Sequence, residues 1–253
     1  MIKTLRIHRI LPPTWLALLV LPLGMSQAGQ SRPEYSKHAV ISDAEGGVRI
    51  SADSPRPLEQ ALDGLQQKYK WAVDYEDPRY TSRTDLRETD LHTWLPAGGS
   101  FTADLAPGTV AEDEILQSLV DTYNHSQNPG RFELRRQGSG FAVVGTAARD
   151  EKGEVARQRV LLDAQISLVR KQRTVAQTID AICREVSLRT HIKVAVAVSP
   201  TAVLGGALVS AGGRNATARD LLAQSLAATH HNLYWRLLFD PNSRSYFLDI
   251  HSL

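Results

Sequence analysis

Residues 215–250 are predicted to form a helix followed by a two-stranded hairpin. This segment constrains the fold most, because the same order of elements occurs once earlier in the chain. Thr217 and Asp220 form a capping pattern, which satisfies free amides at a helix start, and apolar residues at helical spacing follow. Residues 233–239 alternate between apolar and polar, as expected for a strand with one buried face. Residues 240–243 are typical of a turn, and a second alternating segment follows them.

The repeated order predicts an α+β fold made of two similar small units. Each half reads strand, helix, strand, strand, helix, strand, strand, so each unit has two helices packed on a small mixed or antiparallel sheet. The first unit is predicted over 47–145, with an irregular insertion at 81–99 that is rich in charged and turn residues. The second unit is predicted over 160–253. The charged stretch 146–159 has no clear period and is predicted to be a linker.

The N-terminus has the three-part pattern of a secretory signal peptide over residues 1–28. Residues 1–9 are basic, 15–23 are almost entirely apolar, and 26–28 form a small-x-small cleavage site. The apolar segment is too short to span a bilayer, so cleavage would leave no stable membrane span. Residues 29–46 are predicted to be a polar arm. The chain is therefore expected to be exported.

Composition argues against general nucleic-acid binding. The chain has 29 Lys and Arg residues and 27 Asp and Glu residues. The three basic residues of the leader are Lys3, Arg6 and Arg9, and without them the balance is slightly acidic. A nucleic-acid-binding protein usually carries a marked basic excess.

No segment carries a recognisable catalytic, cofactor-binding or metal-binding motif, such as HExxH, CxxC or GxSxG. Cys183 is the only cysteine, and its helical surroundings predict a small buried side chain. His230 and His231 are adjacent, without an identifiable third metal ligand. The chain is therefore predicted not to be an enzyme and to need no cofactor. An exported hydrolase is the alternative, because a pair of carboxylates is defined only in space.

Two stretches in each half carry a resemblance to a known family. They are Leu-Glu-Gln-Ala-Leu-Asp-Gly-Leu at 58–65 with Trp-Ala-Val-Asp-Tyr at 71–75, and the segments 178–182 and 193–198. This pattern resembles the short N-terminal domain of secretins and TonB-dependent transducers, present as two tandem units over 47–251. The resemblance implies a periplasmic interaction module without catalytic residues. The 81–99 insertion departs from the family pattern, and no β-barrel segment follows, so the pore or transport role is not carried over.

The sequence thus predicts an accessory or adaptor protein of a secretion, pilus or TonB-linked system. Its partner would be an envelope protein, such as a secretin or a TonB-system component, bound at an exposed sheet edge and at the insertion. The final strand, 245–251, is the predicted edge, and Trp94, Tyr246 and Phe247 are the candidate partner-binding residues. A self-associating structural protein is a further alternative.

Overall fold

The computed structural model describes residues 35–44, 47–105, 111–138 and 140–253. The predicted signal peptide and residues 29–34 of the predicted arm lie outside these ranges. The elements up to residue 157 are β1 (Val40–Ala44), β2 (Gly47–Asp53), α1 (Pro57–Tyr69), β3 (Val73–Glu76), β4 (Leu86–Glu88), β5 (Trp94–Pro96), β6 (Ser100–Leu105), α2 (Glu112–His125), β7 (Arg131–Gln137), β8 (Gly140–Arg149) and β9 (Val155–Arg157). The remaining elements are β10 (Gln165–Leu168), β11 (Arg173–Thr174), α3 (Val175–Thr190), β12 (Val194–Val198), α4 (Thr201–Gly206), β13 (Leu208–Val209), β14 (Gly213–Thr217), α5 (Ala218–Ala227), β15 (Leu233–Asp240) and β16 (Ser245–Ser252).

The helices begin where the sequence supplies partners for their free amides. Thr174 caps α3 in a full capping box with Gln177, and the Thr217 hydroxyl accepts the amide of Asp220 at the start of α5. The Thr217 cap agrees with the prediction from the sequence. At its other end α3 stops at His191, whose left-handed backbone (φ 59°) breaks the helical path.

Strands from both halves meet in one seven-stranded sheet with the order β12-β16-β15-β3-β8-β7, in which β9 also pairs with β8. The first half supplies β3, β8 and β7, with β3 parallel to β8 and β8 antiparallel to β7. The second half supplies β12, β16 and β15 with the same directions. Each half also has a separate antiparallel pair, β2 with β6 and β10 with β14. The predicted α+β class is confirmed.

The two halves join where β3 and β15 run parallel, with Tyr75 opposite Arg236 and Glu76 opposite Leu237. Each half has its own apolar core beside this seam. Tyr123 and Phe132 lie in the core of the first half, and Trp235 lies in that of the second. The described residues Tyr35–Leu253 form a single compact unit.

Charged side chains cross the same seam. The Asp77 carboxylate accepts hydrogen bonds from Arg56 Nε at 2.7 Å and from the Phe239 amide at 3.0 Å. On the other side, Arg236 donates to the Val73 carbonyl at 2.6 Å. Buried charges of this kind are tolerated only with near-complete hydrogen bonding, so they hold the two halves in one register.

Three segments differ from the sequence prediction. The C-terminal part of the predicted polar arm forms β1, which pairs antiparallel with β2. The predicted linker contains the last four residues of β8 together with β9, which folds back onto β8. The insertion is not irregular throughout, because it contains a 3₁₀ turn at Arg83–Asp85 and the short hairpin of β4 and β5. Charge and weak periodicity hid these strands, since β1, β4, β5 and β9 have at most five residues each.

Candidate functional site

Two adjoining cavities lie beside the junction of the halves, and six arginines are among the residues that line them. Their volumes are about 500 and about 410 Å³, and both are lined by Arg79 and Ile192. We call them together the arginine groove. Its six arginines are Arg79, Arg83, Arg157, Arg159, Arg189 and Arg244.

Gln158 fixes one wall of the groove. Its side chain accepts the Arg79 amide at 2.8 Å and donates to the Arg79 carbonyl at 2.9 Å. The neighbours Arg157 and Arg159 are exposed and line the same cavity as Arg79. One glutamine therefore holds three arginines close together in space, although Arg79 is far from the other two in sequence.

The end of α3 and the β15–β16 turn supply the opposite wall. The Thr190 hydroxyl donates to the Val186 carbonyl at 2.8 Å and accepts the Ile192 amide at 3.3 Å, which shapes the helix end that carries Arg189. Arg244 lies in the hairpin turn with a left-handed backbone (φ 51°). These positions place cationic side chains from the second half against those from the first.

The insertion closes the groove, and side chains from other elements anchor it. Asn242 in the β15–β16 turn accepts the Trp94 amide at 2.7 Å and donates to the Trp94 carbonyl at 2.9 Å. Within the insertion, Asp85 is fully buried and accepts Arg149 Nη1 at 2.6 Å. The Arg83 guanidinium lies 5.4 Å from the centre of the Trp94 ring, an arrangement typical of a cation–π contact.

The charge of the groove is strongly one-sided. Glu151 is the carboxylate that lines it, against six arginines. In the described part of the chain, none of the six forms a salt bridge, whereas Arg56, Arg149 and Arg219 each pair with a buried carboxylate. Unpaired guanidinium groups that converge on a cavity favour a bound carboxylate or phosphate, with which they form paired, charge-assisted hydrogen bonds.

One open sheet edge begins next to the groove. Ile192 lines both cavities and β12 starts two residues later, at the edge of the large sheet. No strand among the described residues pairs with the outer side of β12. Its five residues are all Val or Ala, and Val198 is 51% exposed. The other edge strand, β7, carries Arg and Glu side chains, which discourage further pairing.

The three predicted partner-binding residues have different environments. Trp94 lines the groove. Tyr246 also lines the groove, but it is only 3% exposed, packs against Phe239 and donates its hydroxyl to the Asp77 carbonyl at 3.3 Å. Phe247 is half-buried on β16. The prediction that the final strand is a sheet edge is wrong, because β12 pairs with β16 on the side away from β15.

Sequence reasoning missed the groove arginines, since they come from four separate segments. The one local signal was the Arg-Gln-Arg alternation at 157–159, within the stretch interpreted as a linker. Cys183 is buried as predicted, and burial raises the pKa of its thiol to about 12. The thiol is therefore protonated at neutral pH and poorly nucleophilic.

The buried carboxylates already have structural partners. Glu76, Asp77 and Asp85 each accept hydrogen bonds from an arginine and from at least one backbone amide. Over the described ranges, no group of three or more His, Cys, Asp or Glu side chains is placed to hold a metal ion. In the same ranges, no helix has both the length and the apolar character needed to cross a membrane.

Comparison of the chain with protein-family models, with curated proteins and with solved structures found no match.

Proposed function

We propose that this protein is an exported binding module of the bacterial cell envelope that captures an acidic partner protein in the arginine groove. The observation that carries the proposal is the convergence of six arginines, without carboxylate partners in the described chain, on two adjoining cavities. Such a surface attracts acidic groups and accelerates their association. No catalytic step is assigned to the chain.

The module is proposed to consist of two similar units that have fused through one sheet. Support comes from the strand directions, since β3-β8-β7 and β12-β16-β15 have the same pairing pattern. The antiparallel pairs β2 with β6 and β10 with β14 also correspond. A tandem arrangement of this kind fits the resemblance to the short domain of secretins and TonB-dependent transducers. The proposed partner is accordingly an acidic component of a secretion, pilus or TonB-linked system.

The groove is a feature of the joined units, which favours a role for the pair over a role for either unit alone. Arg79 and Arg83 belong to the first half, and Arg189 and Arg244 belong to the second. The contacts of Gln158 and Asn242 hold these segments in place before any partner binds. Preorganised side chains lose less conformational entropy on binding, which increases affinity.

Crosslinking in the native envelope tests this function with a charge-matched control. The groove variant carries Arg79→Glu, Arg159→Glu and Arg189→Glu. The control variant carries Lys171→Glu, Arg184→Glu and Arg214→Glu, three exposed positions that do not line the groove.

We expect the wild type and the control to recover the same envelope partner, and the groove variant to lose it. Recovery should also fall as salt is raised, because the contacts are exposed and screened. Equal recovery by both variants would exclude the groove as the binding site. Recovery of the chain alone, in all three cases, would favour self-association.

A further inference from the structure

We propose that the partner contributes an extended acidic segment, which adds to β12 as an eighth strand and places its carboxylates in the arginine groove. The inference rests on the proposed function and specifies how the partner is held. Two separate observations support it. They are the uncharged, open edge of β12 and the position of the groove at the N-terminal end of that edge.

Some backbone polar groups of β12 are free to pair on its outer side, although the outward amide of Val194 donates to the Ser187 hydroxyl at 2.9 Å. The Lys193 carbonyl accepts the Tyr246 amide from β16 at 2.8 Å. In a parallel ladder, alternate residues bond to the same neighbouring strand. The amide and carbonyl of Val196 are therefore directed away from β16, towards the open side. An added strand would satisfy these groups, which is the basis of recognition by strand addition.

The composition of β12 is unusual for an unprotected edge. Edges are commonly protected by lysine, proline or inward-pointing charge, and residues 194–198 contain none of these. A register shift between Val196 and Val198 shortens the regular part of the edge, where the Asp249 side chain accepts the Val198 amide at 3.0 Å. The backbone groups left for an added strand are therefore those of Val196 and the Val194 carbonyl, within four residues of Ile192 in the groove.

The positive charge of the arginine groove favours an acidic segment over a basic one. Arg189 and Ile192 line the groove and immediately precede β12 in the chain. A strand lying along β12 would extend past Ile192 into the region of Arg79 and Arg159. Carboxylates at that end of the segment would pair with guanidinium groups, whereas a basic segment would be repelled.

Synthetic peptides test the strand and the charge separately. Each labelled peptide has five alternating Thr and Val residues, to match the length of β12. One peptide carries Asp-Glu-Asp after its C-terminal residue and another carries it before its N-terminal residue. A third and a fourth carry Lys at the same positions. Binding to the purified protein is measured by fluorescence anisotropy.

One of the two acidic peptides should bind at least about tenfold more tightly than its Lys counterpart, and the preferred end reports the direction of the added strand. N-methylation of alternate backbone amides then tests strand pairing without altering the protein. Of the two alternating sets of methylated amides, only the set facing β12 should weaken binding, by about tenfold. The other set should change affinity less than about twofold.

The outcomes separate the two proposals. Strand addition is overturned if peptides with either methylated set bind equally well to the wild type while the groove variant fails to bind them. That result would leave the arginine groove alone as the site. The proposed function itself fails if binding is unaffected by the three groove substitutions. Concentration-dependent dimerisation of the protein alone, abolished by Val196→Pro and not by the control variant, would place a second copy on β12 and also overturn the inference.

Discussion

Glu76, the last residue of β3, forms an ion pair with Arg219 of α5, with 2.5 Å between Oε2 and Nη2. The two residues belong to different halves, and their side chains are 1% and 9% exposed. Glu76 Oε1 accepts the amides of Leu161 and Leu162. Burial raises the pKa of Glu76, while Arg219 and the two amides favour its ionised form. This pair couples the first sheet strand of one half to a helix of the other.

Replacement of Arg219 by Met should destabilise the protein strongly, because it leaves the Glu76 carboxylate buried without its cation. We expect a loss of about 3–5 kcal/mol in the free energy of unfolding at neutral pH, measured by urea denaturation. The double variant Glu76→Gln with Arg219→Met should recover part of this loss, since Gln still accepts the two amides. A single-variant loss below about 1 kcal/mol would show that the pair does not join the halves.

Stability should decrease as pH rises towards neutrality because of two carboxyl groups near the seam. Burial raises the pKa of Glu59 and of Asp74 to about 7. A carboxyl group with a higher pKa in the folded state binds its proton more tightly when folded. Its stabilising contribution is complete below the unfolded-state pKa near 4 and is lost as pH approaches about 7.

We expect the free energy of unfolding to fall by on the order of 1–2 kcal/mol between about pH 5 and pH 7.5, because Asp74 remains partly accessible to water. Asp74→Asn should flatten part of this dependence, and the addition of Glu59→Gln should flatten the remainder. Denaturation at a series of pH values measures both effects. An unchanged slope in the double variant would assign the dependence to other groups.

The hydrogen bonds between Asn242 and the Trp94 backbone should control the order of the insertion. Asn242→Ala removes both bonds, yet they are exposed, so global stability should fall by less than about 1 kcal/mol. Amide hydrogen exchange in β4 and β5 should accelerate, and acidic peptides should bind more weakly. Ser243→Ala is the matched control, because the Ser243 hydroxyl donates to Asp240 within the same turn. Equal exchange in both variants would contradict the proposed anchor.

Removal of a groove arginine should stabilise the fold slightly, since the groove brings like charges together without carboxylate partners in the described chain. Arg159→Gln should raise the free energy of unfolding by about 0.2–0.5 kcal/mol at low salt, and this gain should shrink at high salt. Arg149→Gln should instead lower it by about 2 kcal/mol, because the buried Asp85 loses its partner. Thermal unfolding at two salt concentrations distinguishes these responses. Destabilisation by Arg159→Gln would indicate a structural role.

Lateral strand order could not be predicted from the sequence. Alternation placed Tyr246, Leu248 and Ile250 on one face of the last strand, and all three are buried in the structure. Alternation says nothing about which strands lie on either side. The partner of β16 away from its hairpin is β12, about fifty residues earlier in the chain, so the terminal strand is interior. The same limitation concealed the pairing of β3 with β15.

The sequence by itself determined several of the elements and their buried faces, because helix caps, turns and apolar periodicity act over a few neighbouring residues. Thr174, Thr217 and the hairpin of β15 and β16 are examples. Only the tertiary structure decided where the open edge lies and which arginines meet. Those features depend on contacts such as that of Gln158 with Arg79 and that of Asn242 with Trp94. The partners are separated in the sequence by 79 positions in the first contact and by 148 positions in the second. Contacts over such separations arise from the packing of whole elements, which no local pattern encodes.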